Sequence, residues 1–325
     1  MDQRLLNKIQ GSLIGGAIGD AIGFIIEKKP YDTVVVFCKH LENNEYLIKN
    51  RTYPQIYQFG QYSDDTQFSR LLIESHLNNQ SFKALLLKNY KTNKLIGLGK
   101  GTSNLLKFWN KYPDQEPTFE LTNNMSNGSV MRSWTVGLLF DNLQDIVQYS
   151  KNQSILTHNH HDAISCSIYI AKIMNYLINL NNQKIDIDSI IKLADHDSLL
   201  RKIMIYGRYH LKQPEDLKKY CTTDICPDWN GVPPLAIPTT VAVVLTFINN
   251  LDKDFKTTLI NGLLCGGDTD TVCSVLGALK GATVGLDQIN NQYRNIIHDQ
   301  NEYKEDYFID LSNKIYNFKI KNNKG

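Results

Sequence analysis

The chain has 325 residues, 42% of them hydrophobic and 21% charged, the balance of a soluble globular protein long enough to bury a core. Its 35 basic and 33 acidic residues leave a formal net charge of +2, too weak a field to draw it to nucleic acid or to an anionic membrane. Six scattered cysteines form no CxxC pair. Cys221 and Cys226 lack a matching second pair for a tetrahedral zinc site, and all six read as reduced thiols.

Residues 13–26 are largely apolar behind Lys8, but Asp20 interrupts them and no clean small-residue cleavage site follows, so they read as helix and not as a leader. Leu5, Ile9, Leu13, Ala17 and Ile18 recur at helical spacing. Gly11, Gly15, Gly16 and Gly19 fall inside that helix, each roughly 1 kcal/mol worse than alanine, which suggests that another backbone passes close by. The helix gives way before Pro30, because a residue preceding proline disfavours helix.

Residues 28–62 read as loop, with a short strand at 34–37. Helices are predicted from just after the acidic pair Asp64-Asp65 to about residue 78, over 81–91, and from a turn at 97–102 through Trp109. A polar loop at 123–129 precedes a helix from Met131. Further helices are predicted over 163–180, 189–194, 239–251, 255–265 and 271–284, with Pro238 starting one of them where its missing N–H costs little. Residues 213–234 read as a polar connection, and the Lys/Asn-rich tail beyond 286 as frayed. The apolar stretch 241–248 is far short of the ~20 residues that span a bilayer. No repeat or linker divides the chain and strand signals are few. The expectation is one all-α domain over 1–325, a globular multi-helix array with its core at about 10–285, soluble and cytoplasmic.

Two segments carry the chemistry. Gly60-Gln61-Tyr62-Ser63-Asp64-Asp65-Thr66-Gln67 and Gly266-Gly267-Asp268-Thr269-Asp270-Thr271 each crowd carboxylates and hydroxyls before an apolar helical pattern. One Asp, Ser or Thr at such a place is a helix cap. Four aspartates in two loops exceed what capping uses, since one cap takes one oxygen. Carboxylates and hydroxyls are hard ligands suited to Mg²⁺ or Mn²⁺. Asp268 and Asp270, two apart, share one face of an extended loop. If the loops converge, four carboxylate charges balance two divalent ions, which in paired sites sit roughly 3.5–4 Å apart.

The order of motifs resembles the ADP-ribosylglycohydrolase family. Gly15-Gly16-Ala17-Ile18-Gly19-Asp20-Ala21-Ile22-Gly23 followed by Glu27 is similar to that family's opening helix, and Ser63-Asp64-Asp65-Thr66 to its first metal motif. The turn at 97–102, Asn127-Gly128-Ser129-Val130-Met131-Arg132 and Thr157-His158 resemble its substrate loops. Residues 266–271, with the helix through Gly281-Ala282, resemble its second metal motif. The match runs in order from about residue 10 to 285.

The resemblance implies an all-α fold with two Mg²⁺ (sometimes Mn²⁺) in a cleft, and a hydrolase that removes ADP-ribose from modified proteins. By position it implies Ser63, Asp64, Asp65, Asp268, Asp270 and Thr271 as metal ligands and Glu27 as a mobile acid gating the site. Glu27 or Asp65 would take a proton from water. Gly97, Gly99 and Gly101 would offer backbone N–H groups to the diphosphate. Asn127, Gly128 and Ser129 would hold the ribose–phosphate region, and His158 would pack against the ligand. The partner is then an ADP-ribosylated protein or another ADP-ribose conjugate, met by a monomer, with no membrane and no specific nucleic acid. Arginine, serine, polymeric and O-acetyl linkages stay open. So do a hydrolase of a small conjugate such as O-acetyl-ADP-ribose and a non-catalytic ADP-ribose-binding or crystallin-like protein.

Other candidates read as ordinary. No matching distal ligands accompany the His161-Asp162 dipeptide, and His160 and His161 read as a solvated helix start. Lys100 is either a plain exposed charge or a phosphate contact. Trp109 and Trp134 are expected in the core.

Overall fold

Seventeen α-helices occur among the residues that the computed structural model describes, which are 2–43, 57–181, 183–223, 226 and 228–322. In chain order they are α1 (Gln3–Gly23), α2 (Tyr31–Glu42), α3 (Asp64–Leu77), α4 (Phe82–Lys91), α5 (Lys100–Lys111), α6 (Phe119–Thr122), α7 (Val130–Leu139), α8 (Leu143–Ile155), α9 (His161–Asn179), α10 (Ile187–Lys192), α11 (Leu199–His210), α12 (Pro214–Cys221), α13 (Ala236–Asn249), α14 (Phe255–Leu263), α15 (Thr269–Val284), α16 (Asn291–Arg294) and α17 (Glu305–Asn322). Extended segments make only isolated bridges among the described residues, such as Gly231 with Gly266. The all-α expectation holds.

The Asp2 carboxylate caps α1 by accepting the N–H groups of Arg4 and Leu5. From Gly11 to Gly23 every residue of α1 is buried, as befits a core helix rather than a surface one. α15 is buried in the same way and runs antiparallel to α1 with backbone against backbone. A Cβ on Gly11, Gly15, Gly19 or Gly23 would come under 3.0 Å from the carbonyl oxygen of Gly281, Gly277, Cys273 or Thr269 in turn. The clustered glycines of the sequence mark this crossing, which sets the end of α1 beside the start of α15.

A large apolar core joins α1 and α15 to α2, α9, α13, α14 and α17. A second cluster around Phe68, Leu72, Leu105 and Trp109 joins α3, α4 and α5. α7, buried along its whole length, serves both: Val130 and Trp134 belong to the first, Met131 and Val136 to the second.

Three expectations are corrected. Residues 34–37 lie in α2, not in a strand: Val34, Phe37, Cys38 and Leu41 form a buried stripe at helical spacing, and that burial overrides the β-branched preference. The polar connection at 213–234 contains α12, with Pro214 in its first turn and the Asp216 carboxylate accepting the Gln213 N–H at 3.0 Å. Residues 305–322 of the tail form α17, with Phe308, Leu311, Ile315 and Tyr316 buried. Just before it, the Asp299 carboxylate accepts the side-chain amides of Gln61 at 3.1 Å and Gln67 at 2.9 Å, bracing the first acidic segment. Trp109 and Trp134 are core residues as expected. The six cysteines are free thiols, and no described helix is long and apolar enough to cross a membrane.

The crossing makes a direct prediction. Gly19→Ala, whose Cβ would overlap the Cys273 carbonyl, should lower unfolding free energy by at least about 2 kcal/mol in urea titration. Gly99→Ala, with nothing near its added Cβ, should change it by less than about 1 kcal/mol. Equal effects would mean that the glycine contact does not govern the packing.

Candidate active site

The first acidic loop is held in place by a buried acid on α1. Asp20, fully buried, accepts the Ser63 N–H at 2.9 Å, the Thr66 N–H at 2.9 Å and the Thr66 hydroxyl at 2.6 Å. It therefore supplies acceptors to the start of α3, whose first N–H groups have no partner within the helix. Ser63 caps the same helix, its hydroxyl accepting the Asp65 N–H and contacting Asp65 Oδ2, both at 3.2 Å. Asp64 and Asp65 are freed from capping, and Asp65 Oδ1 is buried without a partner.

The second loop enters α15 through Gly266 and Gly267, both at positive φ (65° and 74°), a conformation that suits glycine. Asp268 stands at the N-cap position but makes no side-chain cap. Its carboxylate instead accepts the Asn127 amide, which also donates to the Thr239 hydroxyl at 2.9 Å. Asp270 accepts the Thr271 N–H at 2.9 Å. α1 stops at Gly23, so helical phase does not set the place of Glu27. A turn over 24–28 does, pinned where the Lys28 N–H donates to the Gly267 carbonyl at 3.0 Å. Glu27, Asp268 and Asp270 then offer oxygens within 4.8 Å of one another.

These groups open on a cleft of about 460 Å³. It is lined by Glu27, Asp64, Asp65, Gly97, Gly99, Gly101, Asn127, Gly128, His158, Asp268, Asp270 and Thr271 together with Lys28, Lys100, Asn124, Ser126 and Trp229. Gly97, at φ 85°, leaves no more than 3.1 Å between an added Cβ and Asp64 Oδ1. Two expected residues stand behind the wall. Ser63 is fully buried as the cap of α3, and Ser129 is fully buried with its hydroxyl bonded to Ser154 at 2.8 Å and Ser167 at 3.0 Å. Ser129 supports the loop from beneath.

Arg132 organises the opposite wall. Fully buried, it donates to the Gln153 side chain at 2.7 Å, to the carbonyls of Gly128 and Gln153, and to the Thr157 hydroxyl at 2.7 Å. His158 is held between Thr157 Oγ1 at 2.7 Å and Ser126 Oγ at 3.0 Å. Burial, with the Arg132 charge nearby, pushes its pKa down to about 3, so the ring stays neutral. At the start of α9, His160 accepts the Asp162 N–H at 3.2 Å and His161 is exposed, a solvated helix start as expected.

The match of a protein-family model described as ADP-ribosylglycohydrolase extends over residues 1–322. The chain belongs to the ADP-ribosylglycohydrolase family. It is 26% identical over 328 residues to ADP-ribosylhydrolase ARH3 of Danio rerio, covering 88% of this chain and 85% of that protein. It is 24% identical over 302 residues to ADP-ribosylarginine hydrolase Tri1 of Serratia proteamaculans, covering 87% and 73%. A solved structure titled ADP-ribosylglycohydrolase-related protein complex superposes with a TM-score of 0.71 at 20% identity, over 97% of this chain and 99% of that one, and shares the fold. Family membership makes the chain a glycohydrolase of ADP-ribose conjugates.

The electrostatics of this ADP-ribosylglycohydrolase explain what its acids demand. Burial and the charge of Asp270 raise the pKa of Asp64 and Asp65 well above the carboxylate range and that of Asp20 to about 7. For Glu27 the Asp270 charge leads, followed by burial, and the pKa rises to about 9. Buried like charges repel and stay ionised only when cations answer them.

These groups bind protons more tightly folded than unfolded, so they favour the metal-free fold below an unfolded pKa of about 4. That contribution is lost as pH rises through about 7 for Asp20 and about 9 for Glu27. In chelator, the Tm should fall from pH 5 to pH 9, and Asp270→Asn should flatten the fall. Identical slopes in wild type and variant would contradict the clustering.

Proposed function

We propose that the cleft binds two Mg²⁺ (or Mn²⁺) and hydrolyses the bond between ADP-ribose and a modified protein. The observation that carries this reading is a set of buried oxygen donors with too few cations. Asp64, Asp65, Asp268 and Asp270 supply carboxylates and Thr271 a hydroxyl, Ser63 backs them as the cap of α3, and Asp65 Oδ1 has no partner. All are hard ligands, no thiolate or imidazole stands among them, and four negative charges suit two divalent ions. When bound, the ions supply Lewis acidity toward the ribose hydroxyls and neutralise the acids.

The chain's own groups account for the rest. The N–H groups of residues 100–102 open α5, where Ser103 makes the first backbone bond back to Gly99. With Gly97 they form a cradle for the diphosphate, favoured by the helix dipole, and Lys100 adds a charge. Asn127, Gly128 and neutral His158 form the facing wall for ribose and phosphate, and Ser129 steadies it. Cleavage builds positive character on the anomeric carbon, which the surrounding carboxylates stabilise. Of the two acids expected to act on water, Glu27 fits better: it is half-buried on a turn at the mouth, whereas Asp65 is buried and tied to Ser63. Glu27 takes a proton from water as the water oxygen bonds to the anomeric carbon. The glycosidic bond breaks, its electron pair stays with the leaving group, and Glu27 passes the proton on to that group.

Asp268→Asn or Asp270→Asn should lower Mg²⁺-dependent release of ADP-ribose from modified protein at least 100-fold, with the fold intact by circular dichroism. Near-normal turnover in either would overturn the reading. Glu27→Gln should lower turnover strongly yet leave ADP-ribose affinity within a few-fold by calorimetry. Loss of both together would remove Glu27 from that role. Asp20→Asn loses acceptors for Thr66 and should weaken Mn²⁺ binding roughly 10- to 100-fold, as partners behind the ligands commonly do. Unchanged affinity would confine Asp20 to folding.

A further inference from the structure

A cation sits on an aromatic face at the mouth of the cleft. Lys28 Nζ lies 4.3 Å from the ring centroid of Trp229, and both residues line the cleft. Lys28 has φ 58°, a left-handed conformation uncommon outside glycine. The hydrogen bond from its N–H to the Gly267 carbonyl holds it there. Trp229 is fixed to the same loop from the other side. Two residues beyond the Asn230 that follows it, the Val232 N–H donates to the Gly266 carbonyl at 3.2 Å and its carbonyl accepts the Asp268 N–H at 2.9 Å. The backbone that carries Trp229 is thus tied to the segment bearing Asp268 and Asp270, the end where, on the reading above, the glycosidic bond is cut.

Among the described residues, Trp229 is the one Trp, Tyr or Phe in the cleft lining. The diphosphate cradle at 97–102 lies at the start of α5, away from the loop of Asp268 and Asp270, so a ligand seated with its diphosphate there and its anomeric carbon at those acids would bring the leaving group toward the indole. A Trp face beside several carboxylates selects a cation. A guanidinium, planar and weakly hydrated, stacks on such a face better than an ammonium, whereas an alcohol leaving group brings no charge. Resting on the glycohydrolase reading above, we propose that Trp229 is the specificity-determining platform for the guanidinium of arginine-linked ADP-ribose. Lys28 fills this seat until the substrate's cation displaces it.

The test is calorimetry on the full chain in the Glu27→Gln background with Mg²⁺, comparing ADP-ribosyl-arginine with ADP-ribose. A contact of this kind is worth roughly 3- to 30-fold in an equilibrium constant, so the arginine adduct should bind tighter by about that factor. Trp229→Ala should bring the ratio of the two affinities near one, Trp229→Phe should keep part of it, and Lys28→Ala should raise it. In turnover, Trp229→Ala should lower kcat/KM more for an arginine-linked than for a serine-linked peptide. The proposal is overturned if ADP-ribose binds but the adduct has no advantage, or if the advantage survives Trp229→Ala. It is also overturned if Trp229→Ala weakens both ligands equally, which would make the ring an adenine platform. Failure of ADP-ribose itself to bind would overturn the glycohydrolase reading along with it.

Discussion

Helices α1 and α15 touch backbone to backbone, and the chemistry of the cleft depends on that contact. Glycines repeat every fourth residue from Gly11 to Gly23, and on α15 Gly277 and Gly281 meet them. Larger residues would hold the axes apart. Because the helices are antiparallel, the end of one lies at the start of the other. Asp20 and Glu27 therefore stand beside Asp268 and Asp270, and Asp20 in turn grips the loop of Asp64 and Asp65. Acids from distant parts of the chain are forced together by packing that is itself apolar.

That arrangement works against the stability of the metal-free protein. Burial raises the pKa of every acid in the cluster, and around Asp270 its charge raises the others further. Arg132 is spent on Gln153, Thr157 and Gly128, and Lys28 lies on Trp229. Such a site stores electrostatic energy that a bound cation relieves. Two glycines around the cleft serve the same end, since Gly97 and Gly267 let carboxylate and backbone approach where a side chain would intrude.

Much of this was legible in the sequence. The glycine cluster announced a close backbone, and Asp64, Asp65, Asp268 and Asp270 stood out because capping does not need so many acids. Asp20 was visible as a break in an apolar run, but its partners lie on another element, so its role as the anchor of Ser63 and Thr66 was not. Arg132 falls within a motif, yet its bonds reach Gln153 on α8 and Thr157 just beyond that helix. Trp229 and Lys28 are far apart in sequence, and the pairing of Val232 with Gly266 and Asp268 on one side and of Lys28 with Gly267 on the other brings them together. Ser129 shows the converse: its motif was recognised, but whether a hydroxyl points to the cleft or to Ser154 depends on packing. Local pattern likewise misread 34–37 and the tail, where burial against distant helices decides.

The central claim is that the two acidic loops form one dinuclear site that holds the cleaved end of ADP-ribose. Anomalous diffraction from crystals grown with Mn²⁺ and ADP-ribose tests it most directly. The account predicts two manganese peaks bridging Asp64 and Asp65 with Asp268 and Asp270, and the distal ribose against them within reach of Glu27. No manganese between the loops, or ADP-ribose bound away from them, would contradict it.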